Sequence, residues 1–172
     1  MSKKILALLL ITFFIVLVGS FLYYEKIQSD MVKSENVSDF ELLFKYGVGA
    51  KNELDTFNGT YTKDMVIDPS ITINLTLLVE EKWQIMNKMY SIDFFNLPNS
   101  FPINPHMWKT PQTDYFLKVQ NGTQTNEVYW NDNSILEDSI EKNLDQLVIY
   151  LIEIIENKAV YKAIPTPTAG YL

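Results

Sequence analysis

Behind Lys3 and Lys4 an apolar run without a single charge extends from Ile5 to Tyr24, and no other feature constrains the chain as strongly. Wound as a helix at about 1.5 Å per residue, some twenty apolar residues reach roughly 30 Å, the thickness of a bilayer's hydrocarbon core. The run therefore has the length of a membrane span. Short flanks rich in lysine stay in the cytoplasm, so the remainder of the chain is expected outside it. Tyr23 and Tyr24 close the run where amphipathic rings settle at the membrane interface. A cleavable signal peptide is the competing reading, with an apolar core from Ile5 to Val18 and a cut after Gly19-Ser20. A buried core helix is a third, although no polar stripe interrupts the run. The reading adopted is an uncleaved signal-anchor over residues 1–24, a polar tether over 25–38, and one extracytoplasmic domain over 39–172 at the cell membrane.

Composition narrows what that domain can do. The chain has no cysteine, which excludes a disulfide framework, a thiolate metal site and a lipidated cysteine. Its net charge of −7 repels nucleic acid, so no nucleic-acid partner is expected. All 14 basic residues are lysine, and phosphate sites built on the planar fork of arginine are excluded with them.

Hydrophobic periodicity sets the order of elements. Phe40, Leu42, Phe44, Tyr46 and Val48 alternate with other residues as in a half-buried strand, ended by Gly47 and Gly49. Threonines and aromatics predict a second strand from Leu54 to Met65, bent at Gly59. A turn at Asp68-Pro69-Ser70 then leads into a strand from Ile71 to Leu77. Val79, Trp83, Met86 and Tyr90 predict a helix over Val79–Ser91, with Glu80 and Glu81 in its first turn and Leu78 as a poor cap. Ile92 to Leu97 reads as a short extended piece, and Pro98, Pro102, Pro105 and Pro111 mark a long irregular loop.

Tyr115, Leu117 and Val119 begin a hairpin that turns at Asn121-Gly122, read as type I′, and returns through Glu127 to Trp130. Ser134 and Glu137 fit a capping box ahead of a helix carrying Ile140, Leu144, Leu147, Val148, Leu151 and Ile155 on one face. The expected domain is α+β and two-layered: about five antiparallel strands with two helices on one face, in the order βββ-α-ββ-α.

The stretch Lys45-Tyr46-Gly47-Val48-Gly49-Ala50-Lys51-Asn52, with Leu54-Asp55-Thr56 and Gly59-Thr60-Tyr61-Thr62-Lys63-Asp64-Met65, resembles an uncharacterised family of exported, membrane-anchored or lipoprotein-like proteins of low-GC Gram-positive bacteria. Ile92-Asp93-Phe94-Phe95 and the closing Gly170-Tyr171-Leu172 share the likeness, which spans most of the chain from Phe40 onward. It implies a location at the cell envelope and brings no functional residues with it. This chain departs from the lipoprotein pattern in having no cysteine to lipidate.

Motifs of known chemistry are sparse. His106 is the only histidine and sits in the irregular loop with no nucleophile elbow to serve. Gly47-Val48-Gly49 lacks the third glycine of a dinucleotide fingerprint, and Asn131-Asp132-Asn133 lacks the glycine and distal glutamate of a calcium loop. Asp55, Asp64 and Asp68 lie near one another along the chain and could form an acid/base pair, with solvated strand ends as the plainer reading. Trp83, Trp108 and Trp130 could anchor a partner, but tryptophan is more often core than contact.

No catalytic, cofactor or metal residues are therefore assigned, and no cofactor is expected. The function expected is a non-enzymatic binding module of the cell envelope, held to the membrane by its first helix and taking an envelope protein or cell-wall ligand. The rivals are a hydrolase using two of those aspartates, and an inhibitor inserting the hairpin or the loop over residues 98–113 into an enzyme.

Overall fold

The computed structural model describes the backbone of residues 3–106 and 109–171, and the side chains of 12–33, 35–106 and 109–171. It divides into two compact units, Met1–Ser38 and Asp39–Leu172.

The first unit is a helix, α1, over Lys3–Asn36. The polar tether expected over residues 25–38 is helical from 25 to 36. Glu25, Lys26, Gln28, Met31 and Lys33 are good helix formers, and extending an existing helix avoids the cost of nucleation. Among the described residues no helix is long and apolar enough to cross a membrane. The side chains of Ile5 to Ile11, the first part of the expected span, lie outside the described residues.

The second unit is α+β. Strands β1 (Phe40–Val48), β2 (Asn52–Asp55), β3 (Thr60–Met65) and β4 (Asp68–Asn74) precede α2 (Val79–Ser91) and a 3-10 turn over Phe94–Asn96. Strands β5 (Thr113–Asn121) and β6 (Gln124–Asn131), then α3 (Asp138–Asn157) and α4 (Ala159–Lys162), complete it. The strands form a sheet in the order β4-β3-β2-β1-β5-β6, with every neighbouring pair antiparallel.

Strand alternation puts one apolar row across five strands: Tyr61, Leu54, Phe44, Leu117 and Val128 are register partners in turn and are fully buried. Helices α2 and α3 cover this face with Ile85, Met86 and Met89 from one and Leu144, Leu147, Leu151 and Ile155 from the other. The opposite face carries charge pairs, among them Lys45–Glu53 at 2.7 Å and Lys118–Glu127 at 3.9 Å. Glu81 joins the two helices. Its carboxylate accepts from the Leu78 N–H at 2.7 Å, supplying the cap that a leucine side chain cannot, and from Lys158 just after α3.

The domain has six strands where about five were expected, and the order of strands and α-helices is ββββ-α-ββ-α-α. The stretch from Leu54 to Met65 folds back on itself because the Asp55 carboxylate accepts both the Asn58 N–H (3.1 Å) and the Asn58 side-chain amide (2.6 Å), while Gly59 takes a φ of 66°. The next turn falls at Val66-Ile67 instead of Asp68-Pro69-Ser70. Asp64 accepts the Val66 N–H at 3.0 Å and Val66 adopts a φ of 68°, so Asp68 already pairs with Met65. Pro69 is tolerated because β4 lies at the sheet edge.

Three local expectations are also corrected. The Phe94–Asn96 segment is a 3-10 turn and not an extended piece, entered through Asp93 with a φ of 55°. In the β5–β6 hairpin the loop residues are Gly122 and Thr123, and only Gly122 has positive φ, the pattern of a II′ turn and not I′. The Ser134 hydroxyl accepts the Asn131 N–H at 2.9 Å and closes a turn after β6, so α3 begins at Asp138 and the expected capping box is absent. The proline-rich loop is strapped to the β6 side of the sheet: Tyr129 donates its N–H to the Asn99 carbonyl (2.8 Å), Asn104 to Asn133 (2.8 Å) and Ile135 to Pro102 (2.7 Å). These bonds cover an edge that would otherwise offer unpaired backbone groups.

Candidate binding cleft

At the end of the sheet where β1 stops and β3 bulges, a cleft of about 370 Å³ opens on the helix-covered face. Its walls include Tyr46, Asn52, Lys63, Asp64, Tyr161 and Tyr171.

The β1–β2 turn builds one side. Gly47 has a φ of 93° and Gly49 a φ of 65°, a combination that lets the chain reverse within a few residues and brings Asn52 under Gly47. Asn52 then ties two strands together, donating to the Tyr46 carbonyl at 3.3 Å and accepting the Asp64 N–H at 3.0 Å. Its amide fixes the place where β3 bulges, and the bulge turns the largely buried Asp64 carboxylate toward the cleft. That carboxylate accepts the Tyr171 hydroxyl, which also receives a hydrogen bond from the Lys51 ammonium at 2.9 Å.

Tyr46 and Tyr161 line the cleft, and Tyr61 lies fully buried beneath them. Tyr46 and Tyr61 share a hydrogen bond of 2.8 Å between their hydroxyls, and Tyr61 meets the Tyr161 ring with centroids 5.5 Å apart. Lys63 stands over the Tyr161 ring, 4.6 Å from its centroid, and Tyr161 donates to Glu156 at 3.2 Å. Burial pushes the Tyr46 phenol up to about 12, and burial raises Tyr61 further, assisted by the neighbouring Tyr46. Tyr161 is raised as well, by desolvation and by Glu156. At neutral pH these hydroxyls are protonated hydrogen-bonding groups and poor proton acceptors, which suits holding a ligand better than acid/base chemistry.

The raised phenols set an alkaline limit on stability. Between pH 10 and about 12 the unfolded chain loses the Tyr46 proton while the folded chain keeps it, so unfolding is favoured as pH rises through that window and unaffected below it. The urea midpoint is expected to fall steeply between pH 10 and 12. In Tyr46→Phe the fall should be shallower, and equal slopes in the two proteins would contradict this origin.

The residues singled out from sequence do not assemble into a catalytic group. Asp55 serves the turn with Asn58, Asp64 binds Tyr171 and the Val66 N–H, and Asp68 accepts from Thr168 at 3.0 Å. His106 is exposed, with its backbone N–H on the Asn104 side chain. Asn131-Asp132-Asn133 forms a turn in which Asn131 Oδ1 accepts the Asn133 N–H at 2.9 Å. Trp130 is buried and stacked on Tyr115 with centroids 5.2 Å apart, Trp83 is half-buried, and Trp108 lies outside the described residues. Among the described residues no group of histidine, aspartate and glutamate is placed to hold a metal ion.

A second, smaller hollow of about 220 Å³ lies beside Trp130, rimmed by Asp132, Glu141 and Asp145, with Lys109 3.5 Å from Asp132.

No motif in the sequence marks the tyrosines and lysines of the main cleft. Yet the segments Lys45–Asn52, Gly59–Met65 and Gly170-Tyr171, noted above for their resemblance, meet here through the Asn52–Asp64, Tyr46–Tyr61 and Tyr171–Asp64 hydrogen bonds. Ile92–Phe95 lies elsewhere, running from the end of α2 into the 3-10 turn. No protein-family model and no curated protein matches the chain.

Proposed function

We propose that this chain is a non-enzymatic binding module of the cell envelope, held to the membrane by α1 and displaying its α+β domain outside the cytoplasm. One observation carries the location. Phe13, Phe14, Ile15, Val16, Phe21 and Leu22 are each more than 60% exposed along one helix. Water disfavours so much uncovered apolar surface, and a bilayer covers it on every side. The Ser20 hydroxyl within the run donates to the Val16 carbonyl at 2.7 Å, which satisfies it without water.

The cleft supplies the binding half of the reading. Protonated phenols, a lysine and two carboxylates around a ring-lined floor recognise a partner with both polar and apolar surface. The hydrolase alternative loses support because each of its three aspartates is committed to a turn or to the segment after α4. Of the two elements open to the inhibitor alternative, the hairpin and the loop over residues 98–113, much of the loop is bonded to β6 and the turn beyond it.

Two measurements test the proposal. Protease added to intact cells making the full-length chain should clip the domain, and fractionation should recover the chain with membranes. A protected domain, or full-length chain among soluble proteins, would sink the location. Full-length chain in detergent micelles should retain an envelope component, and Tyr161→Ala with Lys63→Ala should lower that retention about tenfold or more. Turnover of a glycan or peptide without retention would refute the non-enzymatic reading.

A further inference from the structure

The residues that follow α4 already sit on the cleft. Ile164 to Tyr171, Ile-Pro-Thr-Pro-Thr-Ala-Gly-Tyr, has no regular secondary structure and crosses the sheet end. Of these residues only Ile164 is buried; Pro165, Thr166, Thr168 and Gly170 are exposed. What holds the segment is a set of polar contacts spaced along it. The Pro165 carbonyl accepts from Lys63 at 3.5 Å, the Thr168 hydroxyl donates to Asp68 at 3.0 Å, and the Tyr171 hydroxyl donates to Asp64 and accepts from Lys51 at 2.9 Å. The Lys51 ammonium also lies 5.2 Å from the centroid of the Tyr171 ring. Pro167 and Tyr171 form part of the cleft wall.

The arrangement is that of a peptide in a groove. A carbonyl is taken by an ammonium, a hydroxyl by a carboxylate, and a phenol by a carboxylate and a cation together. Pro165 and Pro167 fix two φ angles of the segment before it binds, which reduces the ordering cost. We propose that the groove over β3, β4 and the β1–β2 turn is a recognition site for extended, proline-containing peptides bearing a tyrosine, and that residues 165–171 occupy it in cis. This deepens the reading of the cleft as a binding site and rests on it.

Occupation in cis has a consequence for affinity. A tethered segment acts at an effective concentration of about millimolar, so a partner peptide of the same chemistry must displace it and binds the intact chain weakly. The groove is therefore self-shielded until a better-matched or locally concentrated peptide arrives.

The test uses a fluorescent peptide with the sequence Pro-Thr-Pro-Thr-Ala-Gly-Tyr-Leu, followed by anisotropy against full-length chain in micelles. Deleting residues 165–172 should expose the groove and give saturable binding at least tenfold tighter than to the intact chain. Tyr171→Phe in the otherwise intact chain should fall between the two, because the ring stays while the bonds to Asp64 and Lys51 are lost. Replacing the tyrosine of the peptide by phenylalanine should weaken binding about tenfold. A deletion variant that melts cooperatively but binds no peptide overturns the proposal, as does equal binding by intact and deleted chains. Should the deletion fail to fold, Tyr171→Phe decides: no gain in peptide affinity over the intact chain is the overturning result. None of these measurements involves the membrane or an envelope extract. Failure here therefore leaves the location and retention tests standing, and failure of the location test leaves the groove intact.

Discussion

Phe44→Ala is expected to lower the unfolding free energy of the sheet domain by about 3–5 kcal/mol, the range for removing a buried phenylalanine ring. Phe44 is fully buried in the middle of the apolar row, with Leu54 and Leu117 as its register partners on either side. Its ring also stacks on Tyr46 with centroids 4.9 Å apart. The cavity left by alanine would be walled by strands whose hydrogen bonds hold them about 4.8 Å apart, so little collapse can refill it. Domains of this size are stable by about 5–15 kcal/mol, and the loss is a large fraction of that. Urea unfolding of the full-length chain in micelles measures it, with Phe57→Ala as the control because Phe57 is 45% exposed. A midpoint for Phe44→Ala no lower than that of the control would contradict the placement of the core.

The second large effect comes from an atom that is absent. A Cβ added to Gly47 would stand 2.7 Å from the Asn52 amide nitrogen, on a backbone whose φ of 93° side chains rarely adopt. Gly47→Ala is expected to cost about 1–3 kcal/mol from strain of this kind. The consequence extends beyond stability, because Asn52 cannot move away without releasing the Asp64 N–H and the Tyr46 carbonyl. Asp64 then loses the alignment that receives Tyr171. Hydrogen exchange read by mass spectrometry should show segment 164–171 less protected in Gly47→Ala, while the β5–β6 hairpin keeps its protection. Unchanged protection of that segment would show that Asn52 does not hold the cleft in shape.

Much of the architecture was readable from local pattern. The alternation from Phe40 to Val48 and the helical spacing of Val79, Met86 and Tyr90 describe elements whose period is a property of a few neighbouring residues, and β1 and α2 run from Phe40 to Val48 and from Val79 to Ser91. Turns were less legible, because side chains decide them. Asp55 with Asn58, Asp64 with Val66 and Ser134 with Asn131 each set a turn or helix start by one or two side-chain hydrogen bonds that composition does not announce. The extra strand follows from the first of these. Ser134 illustrates the limit well: its spacing to Glu137 matches a capping box, but its hydroxyl finds a nearer donor in the strand just ended.

The cleft was hidden for a different reason. Tyr46 and Tyr61 occupy core positions of alternating strands and read as ordinary apolar payload, and Tyr171 reads as part of a proline-punctuated tail. Their bonds join residues 15 and 107 positions apart. Acidic residues near one another along the chain drew attention instead, and the fold gave each a separate task.

The sequence by itself determined a charge-free apolar run behind two lysines, an acidic chain with no cysteine and no arginine, and an alternation of strand and helix periods that admits an α+β domain. Tertiary structure alone decided the six-strand order, the clustering of four tyrosines and the seating of residues 164–171 on the sheet end. Periodicity is carried by neighbours along the chain, whereas a cleft is made of contacts across it, and those exist only after register and turns have been settled by individual hydrogen bonds.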